Sequence, residues 1–219
     1  MMKDRFFEEL KEKIQPYFEA GGSHSFDHTQ RVFNNAVTIS EGENVDLDIV
    51  KAAALLHDIS RLKEDRNEVE CHAEHGSETA GKILKEMNFP EDKIKNVVYA
   101  IKVHRHSKDV KPKTKEAAII QDADRLDALG AICIARMFST GGRLNRPLYN
   151  PNIPFDKIDL YNSALRDFSV STIHSFHKKI LKLKPETFKT KKAKEIAKDR
   201  YKFTEDFVER FKLEWDGKK

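Results

Sequence analysis

Apolar residues recur at three- and four-residue steps along almost the whole chain, the pattern of helices that bury one face. The first such segment carries Phe6, Leu10 and Ile14 on one stripe. Further helices are predicted over about residues 27–41, 47–60, 72–88, 91–106, 115–139, 156–183 and 188–215. Because no segment carries a convincing strand pattern, the predicted fold class is all-α.

Only one stretch, STGGRLNRPLYNPNIP, lacks a helical period, and its glycines and prolines predict a long loop. The last predicted helix places Phe203, Phe207 and Phe211 on one face, so we expect it to pack against the rest of the protein. Without internal repeats or low-complexity tracts, the chain is predicted to form a single domain over residues 1–219. Its core is expected at about 24–130, with docking helices at about 156–215.

The composition fits a highly charged globular protein, with 35% charged and 39% hydrophobic residues among 219. No apolar run approaches the roughly 20 residues that span a bilayer, and the start MMKDRFFEEL lacks the apolar core of a secretory signal. Two cysteines, Cys71 and Cys133, are too few for a disulfide framework. We therefore expect a cytoplasmic protein without membrane contact. The net charge of +4 suits a phosphorylated substrate but does not by itself indicate nucleic acid.

Several metal-ligating side chains fall in register with apolar helix positions: His28, His57, Asp58 and Asp124. His57, for example, follows Ala53 by four residues, and Asp58 lies about 100° further round the helix. A single inward histidine is usually an ordinary core residue, whereas burying an unpaired carboxylate costs several kcal/mol. Two imidazoles and two carboxylates that all face inward need a common partner, which a divalent cation supplies.

Such a ligand set combines nitrogen and oxygen donors and suits several divalent ions while leaving positions open to water or substrate. Mn, Fe or Mg are the preferred ions here, with Co, Ni or Zn as alternatives. A cation in this environment lowers the pKa of a water molecule and polarises phosphoryl oxygens. The pattern therefore indicates the hydrolysis of phosphate esters or anhydrides.

Three motifs, HSFDHTQRV, AALLHDISR and DADRLDALG, resemble the H…HD…D pattern of the HD superfamily of metal-dependent phosphohydrolases. The stretches HAEHGSETA, IKVHRHS and GGRLNRP and the ending RYKFTEDFVERFKLEWDG resemble a bacterial branch that includes nucleoside triphosphate pyrophosphohydrolases. The resemblance covers nearly the whole chain and implies an HD-type helical domain that binds one divalent ion. Its implied ligands are His28, His57, Asp58 and Asp124; Asp122 does not fit the family pattern.

His72 and His104 also fall on inward faces by their spacing from apolar residues. In HD relatives with two metals, histidines at similar places hold the second ion, and in one-metal relatives they face the substrate phosphates. We predict catalytic roles for both, as groups that contact or protonate a phosphate. The alternatives are an ordinary core position and a second metal, which is disfavoured because no additional carboxylate matches the placement of these histidines.

Arginines supply further candidate contacts to phosphate. Some relatives carry a Glu or His acid/base group three positions after the HD pair, where this chain has Arg61, which cannot take up a proton at neutral pH. Arg61 is therefore predicted to bind substrate, as is Arg31, three residues after the first ligand histidine. Arg143 and Arg146, in the non-periodic stretch, are candidates to bind a polyphosphate. Asp127 is predicted either to orient a metal ligand or to pair with a cation.

The predicted function is a metal-dependent phosphohydrolase acting on nucleotides, with cleavage of a (deoxy)nucleoside triphosphate to monophosphate and pyrophosphate as the first candidate. The alternatives are a nucleotide monophosphatase, a phosphodiesterase, or a catalytically silent helical module that binds nucleotides or nucleic acid. This last alternative rests on the basic segment KLKPETFKTKKAKEIAKDRYK, whose lysines are more simply explained as a solvated face. Nucleic acid is therefore not an expected partner, and a homodimer is compatible with the sequence.

Overall fold

A computed structural model of the chain describes residues 2–19, 25–105, 110–155 and 171–219, and no β-strand occurs within these ranges. The all-α prediction is thereby confirmed. The helices are α1 (Asp4–Ile14), α2 (Phe26–Ser40), α3 (Leu47–Leu56), α4 (Arg61–Asp65), α5 (His72–Glu86), α6 (Glu91–Val103), α7 (Lys115–Leu126), α8 (Gly130–Arg143), α9 (Thr172–Lys178) and α10 (Lys191–Trp215). None of these described helices has the length and apolar character needed to cross a membrane.

The chain divides into two compact units, Met1–Asp127 and Ala128–Lys219. The first contains α1 to α7, and the second contains α8 to α10. The organisation of the whole chain as one domain stays a prediction.

Helix α3 is the central element of the first unit. Its sequence, LDIVKAAALL, is apolar almost all round, and the residues from Ala52 to Leu56 are fully buried. Asp46 caps its start by accepting hydrogen bonds from the backbone N–H groups of Asp48 and Ile49. Around it, α2 packs against α3 and α7, and α6 packs against α3, α5 and α7. The small side chains of the alanines allow these neighbours to approach α3 closely. The polar residues at the end of α3 therefore lie among α2, α5, α6 and α7.

The structure interrupts two helices that the sequence predicts to continue. The helix predicted over 47–60 ends at Leu56, and His57 and Asp58 occupy the turn before α4. The helix predicted over 115–139 is two helices, α7 and α8, because Leu129 has extended backbone angles (φ −131°, ψ 154°) and Gly130, which begins α8, has a φ of +82°. The first break places His57 and Asp58 directly after α3, and the second places Asp127 directly after α7.

In the second unit, α8 packs against α9 and α10. The ring of Phe138 lies 5.9 to 6.1 Å from the rings of Phe176, Phe207 and Phe211. The predicted loop STGGRLNRPLYNPNIP is partly helical, since α8 continues to Arg143. Of the helix predicted over 156–183, residues 156–170 lie outside the described part of the chain; the remainder forms α9 and a 3-10 turn at Ile180–Lys182.

Candidate metal centre

The ends of three helices of the first unit deliver the predicted ligands to one place. His28 lies in the first turn of α2, His57 and Asp58 follow α3 directly, and Asp124 lies in the last turn of α7. Because α2 packs against both α3 and α7, these ends are neighbours. The fold thus brings together residues separated by up to 96 positions in the sequence, 28 to 124.

The first cluster consists of His28, His57 and Asp58, whose candidate ligand atoms all lie within 4.8 Å of one another and are buried. The two Nε2 atoms of the histidines are 3.4 Å apart. Oδ2 of Asp58 lies 3.8 Å from Nε2 of His28 and 3.7 Å from Nε2 of His57. Asp124 lies beside this cluster, with Oδ1 3.4 Å from Nε2 of His28, and its side chain is 28% exposed. Asp124 therefore marks the side of the centre that solvent reaches.

The second cluster shares Asp58 with the first and adds His72 and His104. Oδ1 of Asp58 lies 3.2 Å from Nε2 of His72 and 3.5 Å from Nε2 of His104, and these two nitrogens are 3.4 Å apart. His72 is the first residue of α5, and His104 directly follows α6. The two oxygens of one buried carboxylate therefore serve two different pairs of imidazoles.

Each of the four imidazoles is oriented by a hydrogen bond at its Nδ1. His57 donates to the carbonyl oxygen of Ala54 at 2.8 Å, and His104 donates to that of Ile101 at 2.6 Å. His28 donates to Oδ2 of Asp127 at 2.7 Å. His72 donates in the same way to Oε2 of Glu64, also at 2.7 Å. With the Nδ1 proton directed at a fixed acceptor, Nε2 is the nitrogen that each ring presents to the centre.

The carboxylates determine the charge that the centre attracts. Burial lowers the pKa of His57 to about 4, so this imidazole is neutral. Burial also lowers the pKa of His28, but hydrogen bonds to Asp124 and Asp127 outweigh burial and raise it to about 9. For His104, the hydrogen bond and charge of Asp58 likewise exceed the effect of burial and raise the pKa. The pKa of Asp124, which burial would raise, is held below its usual range chiefly by its hydrogen bond to His28.

These features fit a divalent cation. In the metal-free protein the carboxylates raise the pKa of His28 and His104, so they favour positive charge in the buried centre. A divalent cation held by these residues would supply that charge in place of protons. Imidazole nitrogens with carboxylate oxygens suit Mn, Fe, Co or Zn, and the donor set does not select among them.

The arginines predicted to bind phosphate are held by carboxylates. Arg31 donates from Nε to Oδ1 of Asp127 at 2.6 Å and from Nη2 to Oδ2 at 3.1 Å. The carboxylate of Asp127 therefore contacts both the guanidinium of Arg31 and the imidazole of His28, a predicted metal ligand. Arg61 pairs with Asp65 at 3.0 Å and lies 3.6 Å from Glu64, with its side chain 23% exposed.

Arg143 and Arg146 belong to the second unit, where Arg143 is the exposed last residue of α8 and Arg146 is partly buried. Their role in phosphate binding stays a prediction.

Glu64 is a residue that the sequence motifs did not identify. Its Oε2 accepts hydrogen bonds from the backbone N–H and Nδ1–H of His72, and Nη1 of Arg105 lies 3.0 Å away. Burial raises the pKa of Glu64, but these hydrogen bonds and the Arg105 charge outweigh burial and lower it, so the side chain is ionised. The available sequence indication was its position three residues after Arg61, which places both on one face of a short helix.

Comparison with known proteins agrees with this geometry. The sequence matches the HD domain over residues 25–129. It is 30% identical over 201 residues to the uncharacterized protein YpgQ of Bacillus subtilis strain 168, covering 91% of this chain and 88% of that protein. A crystal structure of YpgQ in complex with ADP superposes with a TM-score of 0.72 at 26% identity, covering 96% of this chain and 95% of the other.

A crystal structure of an HD-superfamily hydrolase from Bacillus thuringiensis is also similar to this chain. It is 34% identical, with a TM-score of 0.76 over 98% of this chain and 99% of the other. With the H…HD…D residues gathered in one buried centre and these similarities along nearly the full length, the chain belongs to the HD-domain phosphohydrolase superfamily.

Proposed function

We propose that this protein is a metal-dependent phosphohydrolase that acts on nucleotides, with cleavage of a (deoxy)nucleoside triphosphate to monophosphate and pyrophosphate as its first candidate reaction. The observation that carries the proposal is the convergence of buried imidazole Nε2 atoms on the carboxylate of Asp58. Nucleotide chemistry is supported by the relative YpgQ, which was crystallised with ADP.

The proposed ligands of one divalent ion are His28, His57, Asp58 and Asp124. When bound, the ion would polarise a phosphoryl oxygen and lower the pKa of a water molecule. His57 remains neutral because burial lowers its pKa, and it therefore keeps a lone pair on Nε2. Asp127 accepts the Nδ1 proton of His28 and so directs the Nε2 of that ring into the centre.

His72 and His104 are proposed to contact or protonate the phosphate from the other side of Asp58. Both rings are buried, and both present Nε2 towards Oδ1 of Asp58. Burial excludes competing water and strengthens any charge interaction with a phosphate oxygen.

A second ion is the alternative role for these two histidines, and a specific observation favours it. The ligand atoms of Asp58, His72 and His104 lie within 4.8 Å of one another, as close as those of the first cluster. Asp58, His72 and His104 would then hold the second ion, with Asp58 also a ligand of the first. Both roles belong to a phosphohydrolase, and they differ in the amount of metal bound per chain.

The test is a nucleotide panel offered to the purified protein with each candidate metal, with products separated and identified. We expect metal-dependent release of pyrophosphate and a nucleoside monophosphate, and loss of turnover with a chelator. Asp58→Asn should remove turnover. Asp65→Asn, which changes the half-exposed carboxylate at the end of α4, should retain it. Release of orthophosphate alone would identify a monophosphatase instead. No turnover of any nucleotide with any of the metals would reject the enzyme, and salt-sensitive binding of nucleic acid independent of Asp58 would support the silent module.

A further inference from the structure

Glu64 connects three elements that surround the second cluster. The residue lies in α4, 16% exposed, and its Oε2 accepts hydrogen bonds from both the backbone N–H and the ring Nδ1–H of His72, each at 2.7 Å. The same oxygen lies 3.0 Å from Nη1 of Arg105, the residue directly after His104. One carboxylate therefore fixes the start of α5 and the chain that follows α6.

The position of the His72 proton depends on a competition between two carboxylates. Oε2 of Glu64 lies 2.7 Å from Nδ1, closer than Nη1 of Arg61, which is 3.4 Å from the same nitrogen. Oδ1 of Asp58 lies 3.2 Å from Nε2 on the opposite side of the ring. A neutral imidazole carries one proton, so only one of these carboxylates can be its acceptor. The shorter contact, which also includes the backbone N–H of the same residue, favours the proton on Nδ1.

The consequence of the other tautomer would be severe for the centre. With the proton on Nε2, His72 would donate to Oδ1 of Asp58, and both that nitrogen and that oxygen would be occupied by each other. Nε2 would then carry a proton in place of its lone pair, so His72 could not bind an ion through this nitrogen. The carboxylate of Glu64 prevents this by holding the proton on the outer side of the ring.

The charges around Glu64 keep it in the state that this role requires. Nη1 of Arg61 lies 3.6 Å from Oε1, and Arg105 lies next to Oε2. Two guanidinium groups offset the cost of a largely buried carboxylate, so an anion is maintained beside the imidazole.

We propose that Glu64 is the positioning residue of His72, which holds the imidazole in the Nδ1–H form with Nε2 directed at Asp58. The inference rests on the proposed function only for its effect on hydrolysis, because the tautomer is a property of the metal-free protein. It applies whether Nε2 of His72 serves a phosphate or an ion.

The experiment compares the wild-type protein with Glu64→Ala, Glu64→Gln and the matched control Asp65→Ala. Asp65 lies on the same short helix and pairs with Arg61, but the described contacts of its carboxylate do not include His72. The ring nitrogens of His72 are observed by long-range ¹H–¹⁵N correlation in metal-free protein as the pH is raised. The tautomer is read where the ¹⁵N shifts of this ring no longer change with pH, so that the imidazole is neutral. A His72→Gln spectrum assigns the resonances.

The wild type and Asp65→Ala should show the Nδ1–H form, and Glu64→Ala should shift His72 towards the Nε2–H form. Glu64→Gln, which retains a neutral oxygen acceptor, should fall between them and keeps the test valid should the alanine variant fail to fold. With metal, the hydrolytic rate of Glu64→Ala should fall roughly 10–100-fold, the usual effect of losing a partner of a metal-centre histidine, with partial recovery in Glu64→Gln.

An unchanged tautomer in the folded Glu64 variants would overturn the positioning role, whatever their activity. Conversely, a tautomer shift in a protein that hydrolyses no nucleotide would uphold the role of Glu64 and reject only the proposed reaction.

Discussion

Nε2 of His72 lies 3.2 Å from Oδ1 of Asp58, while His28 and His57 are nearest to the other oxygen of the same carboxylate. Sequence reasoning disfavoured a second ion because no additional carboxylate matched the placement of His72 and His104. The structure removes that objection, since Asp58 offers one oxygen to each pair of imidazoles. The number of ions per chain therefore depends on what the second pair binds.

Replacing His72 or His104 with alanine separates the roles of these two residues. If both serve the phosphate, bound metal should stay near one ion per chain, while hydrolysis falls by about 10²-fold or more, the usual scale for a lost acid/base or charge-stabilising group. If both hold a second ion, bound metal should fall from two per chain towards one, and excess metal should partly restore the rate. Metal analysis together with single-turnover rates measures both quantities.

The same variants also test whether these histidines are ordinary core residues. In that case activity per folded molecule would persist, and only the thermal melting temperature would decrease. His75 is a suitable control because its ring is oriented by Oγ of Ser60 at 2.8 Å, and no described contact links its ring to Asp58. Equal losses in His75→Ala and His72→Ala would contradict any specific role of His72.

The Arg31–Asp127 ion pair provides a second prediction. Asp127 is 2% exposed and receives hydrogen bonds from Nδ1 of His28 and from the guanidinium of Arg31. Asp127→Asn should weaken metal binding roughly 10–100-fold, because the orientation of His28 is lost while its ring remains. Metal titration followed by calorimetry gives the affinity without any substrate.

Arg31→Ala distinguishes two roles of this arginine. The sequence predicts that it binds substrate, whereas its contacts indicate that it holds Asp127. A substrate-binding arginine should raise KM and leave metal affinity unchanged, whereas an arginine that holds Asp127 should weaken metal binding in the same direction as Asp127→Asn. An increase in KM alone would show that the ion pair opens to receive the phosphate.

The sequence identified the inward histidines and aspartates because helical periodicity marks buried faces, and those faces are a local property. Periodicity could not show that His57 and Asp58 lie beyond the end of α3, since the alanines and leucines continue the pattern up to Leu56 without a break. In the structure His57 and Asp58 lie in the turn between α3 and α4. The sharing of Asp58 between two clusters follows from that turn and had no counterpart in the sequence.

Glu64 and the Arg31–Asp127 pair illustrate a second limit. A charged residue on a short polar helix is usually solvated, so nothing in the sequence separates Glu64 from Asp65. The two residues differ in their contacts: Glu64 accepts a hydrogen bond from the start of α5, whereas Asp65 pairs with Arg61. Contacts between residues 31 and 127 are likewise set by the packing of α2 on α7, which a single sequence does not reveal.

Acid stability provides a third prediction, away from the metal centre. Asp48 is 2% exposed and accepts from Nζ of Lys93 at 2.6 Å and from the backbone N–H of Met2 at 2.9 Å. Burial raises the pKa of Asp48, but these hydrogen bonds and the charge of Lys93 outweigh burial and hold it below its usual 3.8. A carboxyl group whose pKa is lower in the folded state stabilises the protein above the unfolded pKa and loses that contribution as the pH falls through the folded value.

Asp48→Asn should therefore lower the free energy of unfolding at neutral pH by about 1.5–3 kcal/mol, because a charged hydrogen bond to Lys93 is lost while Asp46 still pairs with this lysine at 2.8 Å. The difference from the wild type should shrink as the pH falls below about 4, where the wild-type carboxylate also becomes protonated. Denaturant unfolding of the wild type and the variant across this pH range measures the difference in their free energies of unfolding. Asp4→Asn is the control, since Asp4 pairs with Lys51 at 3.0 Å but its side chain is 91% exposed. A difference that grows towards low pH would contradict the assignment.

The close approach of α8 and α9 in the second unit provides the last prediction. A Cβ on Gly141 would overlap Oγ1 of Thr172, so Gly141→Ala should force the two helices apart or rotate the threonine, lowering stability by about 1–3 kcal/mol. A Cβ on the next residue, Gly142, would meet no atom within 4 Å. Gly142→Ala should therefore stabilise the helix by up to about 1 kcal/mol. Thermal melting of the two variants isolates the contact, because they differ by one position in the same helix. If both alanines shifted the melting temperature in the same direction, the shift would reflect helix propensity, and the Gly141–Thr172 contact would not be what requires glycine at position 141.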